Sequence, residues 1–390
     1  MAAPSHRHQS SLEDVIDFSA AAQPLFANEQ QRNRAVSRFR RIVNYFEDAQ
    51  QPASRYGDGY NRPALVRLTF EYARSQESQD RFLGAFFRSL GLGMLDDSVD
   101  HDSELAGFRE LLFGFADFLM ANFFLPLRAA TNKTPQPSPV YHAAVQQVQT
   151  QEEQRRIQDF VGTPERLSVL RETCLTRDRH RCVVTRAFDL TEAAQKWRAE
   201  QRWKHLSARD DDGYPLDASN QYANLEVAHI LPYALTKGEN NELDESRKAA
   251  IAILNMFDIG VIYLIEGTDI SRPRNAITLS LEMHRLFGHF DIFFERVADA
   301  PSHTYRIGTF LPPFYSNQFP ITRTLFTHPS IDPPSERLLA LHSAIAHILH
   351  LSGAGEYIQA ILNDMEKGVV REDGSTHLGV MVGLSLQISG

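Results

Sequence analysis

The chain has 390 residues, 43% apolar and 23% charged, which is ordinary for a globular protein and long enough for two or three domains with real cores. A formal net charge of −9 excludes a protein that coats nucleic acid through bulk positive charge, so any phosphate contact must come from a local basic patch. Its two cysteines, Cys174 and Cys182, exclude a disulfide framework, and their spacing is not that of a zinc knuckle.

The first residues carry no apolar run of the secretory kind, so an intracellular protein, cytoplasmic or nuclear, is expected. Residues 1–28 read as weakly ordered and then helical. From Glu29 to Ala49 the spacing of Val36, Phe39, Ile42, Val43 and Phe46 predicts an amphipathic helix. Further helices are expected over Arg62–Arg74 and over Asp80–Leu90, the latter stopped by Gly91-Leu92-Gly93. Leu105 to Ala129 is apolar on most sides and reads as a buried central helix. Arg109, Glu110 and Asp117 interrupt it and argue against a membrane span. Thr131 to Pro139 reads as a loop or domain boundary.

Helix resumes from Val140, with a solvated run near Gln146–Arg156. Thr163 and Pro164 then form an N-terminal signal for a helix reaching about Thr173. Residues 182–188 fit a strand, 190–206 a helix, 208–221 a loop and Leu225–Leu231 a second strand. A helix over Asp244–Phe257 is followed by a short one over Leu281–Phe287. Phe290–Val297 and Thr304–Leu311 suit a hairpin, and 335–351 and 354–366 suit two amphipathic helices. The last 20 residues read as frayed. The expected class is α+β. A helical N-terminal domain (1–139) precedes a central domain (140–312, with an insertion at 236–272) and a C-terminal helical extension (313–390).

Three stretches carry candidate chemistry: Ala228-His229-Ile230-Leu231-Pro232, then Asn275, then His284 nine residues later. Cys182-Val183-Val184-Thr185 and Asn275-Ala276-Ile277-Thr278-Leu279-Ser280 accompany them. Over roughly residues 170–300 this pattern resembles the HNH endonuclease family (the ββα-metal fold), and more closely the HNH-domain proteins common in filamentous fungi. The resemblance implies a metal-dependent endonuclease that hydrolyses phosphodiester bonds. A histidine is a natural base near neutrality, and a metal supplies charge stabilisation. By resemblance His229 is the base, Asn275 braces the loop between hairpin and helix, and His284 is a metal ligand. The metal is Mg²⁺, Mn²⁺ or Zn²⁺. The substrate is nucleic acid, DNA ahead of RNA, with no membrane and with a protein partner for the helical flanks in view.

Zinc-containing relatives place cysteines where this chain has Thr185, Ser280 and Met283, so no structural zinc is expected. Val183, Ile277, Leu279 and Met283 should hold hairpin to helix instead. Two further positions depart from the family. The residue before the base is Ala228, and the place four after the helix histidine is Gly288. Glu226, two before Ala228 on the same side of a strand, and Asp291 are the candidate replacement metal ligands, with His289 as another.

Each feature also has a plain reading. A lone histidine is usually only that, and the chain has fifteen. Arg177-Asp178-Arg179-His180-Arg181 could meet phosphates or be a solvated helix end. Trp197 and Trp203, among basic residues, suit stacking on single strands, with core packing favoured. Asp210-Asp211-Asp212 reads as a solvated loop. Arg272, Arg274 and Arg285 are better phosphate candidates. The alternative function is a catalytically degenerate HNH scaffold serving as a binding or regulatory module.

Overall fold

A computed structural model of the chain describes residues 25–49, 59–95, 105–131, 164–201, 208–232, 245–314 and 319–367. The expectations for residues 1–24, for 132–163 and for the last 20 residues lie outside the described residues.

In chain order the first helices are α1 (Glu29–Ala49), α2 (Arg62–Glu71) and α3 (Gln76–Ser89). Asn61 starts α2 by accepting from the Ala64 amide at 2.9 Å, with a proline in the first turn. Next come α4 (Arg109–Leu119), one π turn (Met120–Phe124) and α5 (Leu125–Thr131). Then follow α6 (Pro164–Arg177), β1 (Phe188–Asp189), α7 (Leu190–Gln201), β2 (Tyr222–Ala223), β3 (Leu225–His229) and α8 (Glu245–Phe257). The chain continues with β4 (Ala276–Ser280), α9 (Leu281–Gly288), β5 (Ile292–Arg296), β6 (Thr304–Thr309), β7 (Ile321–Thr324), α10 (Glu336–Leu351) and α11 (Ala354–Lys367). The result is a mixture of helices and small sheets.

Two compact units divide these residues: 1–129, 237–262 and 344–390 in the first, 130–236 and 263–343 in the second. The first is helical. Its core is a ring cluster in which Phe39 lies 4.8 Å from Phe70 and 4.9 Å from Phe86, and Phe115 lies 5.7 Å from Phe82. The segment Ala106–Thr131 has the length and hydropathy of a membrane span, but 56% of its apolar window is buried, as in a core helix. Asp117 on it accepts from the Tyr60 hydroxyl at 2.6 Å and from Arg62 Nε at 2.8 Å.

The units cut the chain elsewhere than the sequence boundaries do. The helix expected as an insertion in the central domain, α8, counts with the helical unit. Its Ile253, Leu254 and Phe257 are buried, Phe257 stacks on Phe123 at 5.4 Å, and the Phe257 carbonyl accepts from the Arg74 amide at 2.7 Å. An apolar helical face must be covered, and the helical unit covers this one.

Among the described residues the second unit holds three sheets. β1 pairs with β2 in parallel, β3 with β4 antiparallel, and β5, β6 and β7 form an antiparallel meander. The strand β7 had no clear sequence signal; it is a four-residue edge with alternating exposure. In the β5–β6 pair the Phe293 ring lies over Gly308, where an added Cβ would sit 2.6 Å from the ring. Any other residue at 308 would displace that ring.

Most of the strand expected over 182–188 is instead a tight turn. The Cys182 amide donates to the Ala187 carbonyl and the Arg186 amide to the Cys182 carbonyl, both at 2.9 Å. Local turn bonds outcompete the β-branched preference of Val183, Val184 and Thr185.

The basic run before Cys182 is buried at Arg177 and Asp178 and held by acidic partners beyond them, with Arg179 still exposed. Arg179 and His180 both have positive φ (56° and 51°), which ends α6 sharply. The Asp210–Asp212 loop then closes on the turn. Arg179 pairs with Asp212, His180 Nδ1 lies 2.5 Å from Asp211, Arg181 lies 2.5 Å from Asp210, and Lys196 lies 2.5 Å from Asp211. Burial opposes a charged His180, but the hydrogen bond and charge of Asp211 outweigh it, and the pKa is raised above 6.5. That contribution to stability is present below the unfolded value and is lost as pH rises through the folded one. Asp211→Asn is therefore expected to bring the His180 pKa down to 6.5 or below, read from its ring proton shifts by NMR. An unchanged titration would mean that the aspartate does not hold the imidazolium.

Candidate active site

The site is built on β3, β4 and α9. The register pairs Leu225 with Ser280, Glu226 with Leu279, Val227 with Thr278, Ala228 with Ile277 and His229 with Ala276. Strand alternation puts Glu226 and Ala228 on one face and Leu225 and Val227 on the other, and His229 ends the strand. Leu170 and Cys174 of α6 cluster with Val227 and Ala276 on the second face. Burial pushes the Cys174 thiol up to about 12, so this cysteine is an inert packing group.

α9 begins where β4 ends. Ser280 caps it, its Oγ accepting from the Met283 amide at 3.4 Å. The cysteine-free positions thus have other work. Cys182 Sγ accepts from the Thr185 amide at 3.4 Å, and the Val183 amide donates to the Thr278 carbonyl at 2.9 Å, tying the turn to β4. Val183, Ile277, Leu279 and Met283 are all buried.

Asn275 is fully buried. Its Oδ1 accepts from the Leu231 amide at 3.0 Å, and its Nδ2 donates to the carbonyls of Leu231 at 3.0 Å and Ile270 at 2.9 Å. Its own carbonyl accepts from the Ile230 amide at 2.8 Å. One side chain therefore fixes the segment that follows His229. Short polar side chains that mimic backbone groups are suited to this.

His284 reaches across from α9 to the first face of the sheet. Its Nδ1 lies 2.6 Å from Glu226 Oε2. With Nδ1 engaged by a carboxylate, Nε2 is the nitrogen left for a ligand, the arrangement in which a carboxylate orients a metal-binding histidine. Through Oε2 Glu226 thus orients His284, and it is also the residue to which the sequence pointed as a metal ligand.

His229 ends β3 and is 8% exposed. Its Nε2 is buried and has no hydrogen-bond partner among the described residues. Burial, and then the nearby His284, lower its pKa to about 4, so the ring is neutral at pH 7. Buried polar atoms are nearly always paired, so an orphaned imidazole nitrogen beside a second histidine marks a place for an external partner.

Asp291 is not brought to this pair. It lies 3.8 Å from His289, and its carbonyl accepts from the Phe310 amide and the Thr309 hydroxyl. Among the described residues no three His, Cys, Asp or Glu side chains gather as a metal-binding group. The donors are one imidazole nitrogen and one nearby carboxylate. That set fits a cation that takes most of its ligands from water and phosphate, and does not fit a closed structural zinc site.

Of the candidate phosphate contacts, Arg272 and Arg274 both pair with Asp269, at 2.7 and 2.5 Å, while Arg285 is exposed. Trp197, for which core packing was favoured, is 58% exposed. Sequence reasoning missed two buried residues beside the site. His342 Nε2 donates to the Phe287 carbonyl at 3.0 Å, its ring between Phe287 (3.8 Å) and Phe290 (4.5 Å). Arg177, expected to be solvated or phosphate-facing, is fully buried with Asp178. No periodicity marks either one, since a single polar residue inside an apolar stretch reads as a surface position.

Residues 182–295 match the family model of HNH endonucleases. The match runs from the Cys182 turn to β5 and includes His229, Asn275 and His284. The chain thus carries an HNH endonuclease domain, a class that generally works with a divalent metal on nucleic acid. Searches of curated proteins and of solved structures gave no match.

Proposed function

We propose that the HNH domain hydrolyses phosphodiester bonds in nucleic acid, with His229 as general base, His284 as metal ligand and Asn275 as the brace between them. The observation that carries this reading is the pair His284–Glu226 at 2.6 Å next to a neutral His229 whose Nε2 has no partner among the described residues.

A bound divalent cation would supply charge stabilisation to the phosphoryl oxygens. The remaining work falls to side chains. His229, protonated on Nδ1, takes the proton of the attacking water at Nε2. As the water oxygen bonds to phosphorus, the bond to the leaving oxygen breaks. Glu226 fixes the tautomer of His284 by accepting from Nδ1–H. Asn275 keeps the residues after His229 from drifting. In this reading the exposed Arg285 meets phosphate, and Arg272 and Arg274 do so by exchanging Asp269 for it.

Wild-type protein is expected to nick supercoiled DNA with Mg²⁺, Mn²⁺ or Zn²⁺ and to stop when a chelator is added. His284→Ala should lose both nicking and calorimetric metal binding, and Glu226→Gln should weaken metal affinity roughly 10–100-fold. Absence of cleavage of DNA and RNA with all three metals would sink the nuclease reading. It would leave the degenerate scaffold, which Ala228, Gly288 and the two-donor set favour.

A further inference from the structure

The buried Arg177–Asp178 pair lies outside the three-residue motif, yet it holds the turn on which Asn275 sits. Arg177 has five N–H donors, and all five are used. Nε donates to Asp178 Oδ1 and Nη2 to Asp178 Oδ2, both at 2.9 Å. Nη1 donates to the carbonyls of Pro273 at 2.7 Å and Asp332 at 3.2 Å. Nη2 also donates to the Ala276 carbonyl at 2.9 Å. Pro273 and Ala276 lie on either side of Asn275 in sequence, so one planar guanidinium brackets the brace. Asp178 Oδ2 in addition accepts from the Thr278 amide at 3.2 Å, which references the bracket to β4.

From this geometry we infer that Arg177 is a positioning residue for the site. It sets the turn 273–276, that turn sets Asn275, and Asn275 sets Ile230 and Leu231 immediately after His229. The inference rests on the nuclease reading for its effect on cleavage, and on the hydrogen bonds alone for its effect on the segment. A guanidinium is required. A lysine keeps the charge but has three donors on a compact head, and cannot bridge three carbonyls and a carboxylate as the planar guanidinium does.

The test uses the full chain with Arg177→Lys. Because that variant leaves buried acceptors unmatched, Arg177→Met combined with Asp178→Leu is measured beside it; this pair leaves no lone buried charge. Two readouts are taken per folded molecule. Single-site cleavage kinetics should show kcat falling at least tenfold with KM within about threefold, as expected when geometry and not substrate binding is lost. Amide hydrogen exchange at Ile230 and Leu231 should accelerate at least tenfold relative to the β3–β4 ladder amides. Uniform acceleration everywhere, or unchanged exchange at those two amides, would overturn the bracket and assign the pair to general stability. If wild type cleaves nothing, the nuclease reading fails on its own, and the exchange of Ile230 and Leu231 still decides the bracket.

Discussion

His229→Ala is expected to slow single-turnover cleavage by roughly 10²–10⁴-fold, the usual worth of a positioned base. The argument starts from solvation. The ring is almost wholly buried, and the charged form is disfavoured first by burial and then by His284, which lowers the pKa to about 4. The lone pair on Nε2 is therefore available across the whole neutral range, and among the described residues no group bonds to it. The acid limb of kcat/KM, which reports the free enzyme, should accordingly lie well below pH 6.5. Cleavage by wild type is measured from pH 4 to 8, with His229→Ala alongside. Equal rates in the two proteins would remove His229 from the mechanism. An acid limb at the ordinary histidine value would mean that the base is a solvated group elsewhere.

The candidate site was legible because its signal lies in spacing. The nine-residue separation of Asn275 from His284 survives folding as the length of β4 plus one helical turn, and the Ala228–Pro232 stretch ends a strand where a turn must follow. Amphipathic helices were legible for the same reason: the apolar stripe of residues 29–49 became α1 with the same bounds. What stayed hidden depends on long-range pairing. Arg177, Asp178 and His342 are polar residues whose burial is decided by backbone groups about 55 to 155 positions away. The strand over 182–188 failed because turn bonds to Cys182 override local β preference. The insertion helix was assigned by its place in the chain, whereas its apolar face decided where it packs. Asp291 was chosen by proximity to His284 in sequence, but α9 ends between them, and Asp291 pairs with His289 instead.

Acid should destabilise the HNH unit strongly, with His342 and His229 as two main reasons. Burial drives the His342 pKa down to about 3, although the bond to the Phe287 carbonyl pulls the other way. The folded value is below the unfolded 6.5, so the sign is that of a group buried neutral. Its full stability is present above pH 6.5 and is lost as pH falls towards 3. At about 1.4 kcal/mol per unit, protonating the unfolded chain at pH 4.5 costs the folded state about 3 kcal/mol from His342 alone, with a similar contribution from His229. Set against a total of about 5–15 kcal/mol for a domain, that is a large fraction. His342→Phe, which preserves an aromatic ring between Phe287 and Phe290, leaves the Phe287 carbonyl without its donor. It should lower stability by about 1–3 kcal/mol at pH 7.5. At pH 4.5 the same variant no longer carries a histidine that the unfolded state prefers to protonate, so the deficit should vanish or reverse. Urea unfolding of both proteins at the two pH values decides the matter: curves that stay parallel would show that His342 does not titrate on unfolding, and that the stacked, neutral imidazole is not what limits the unit in acid.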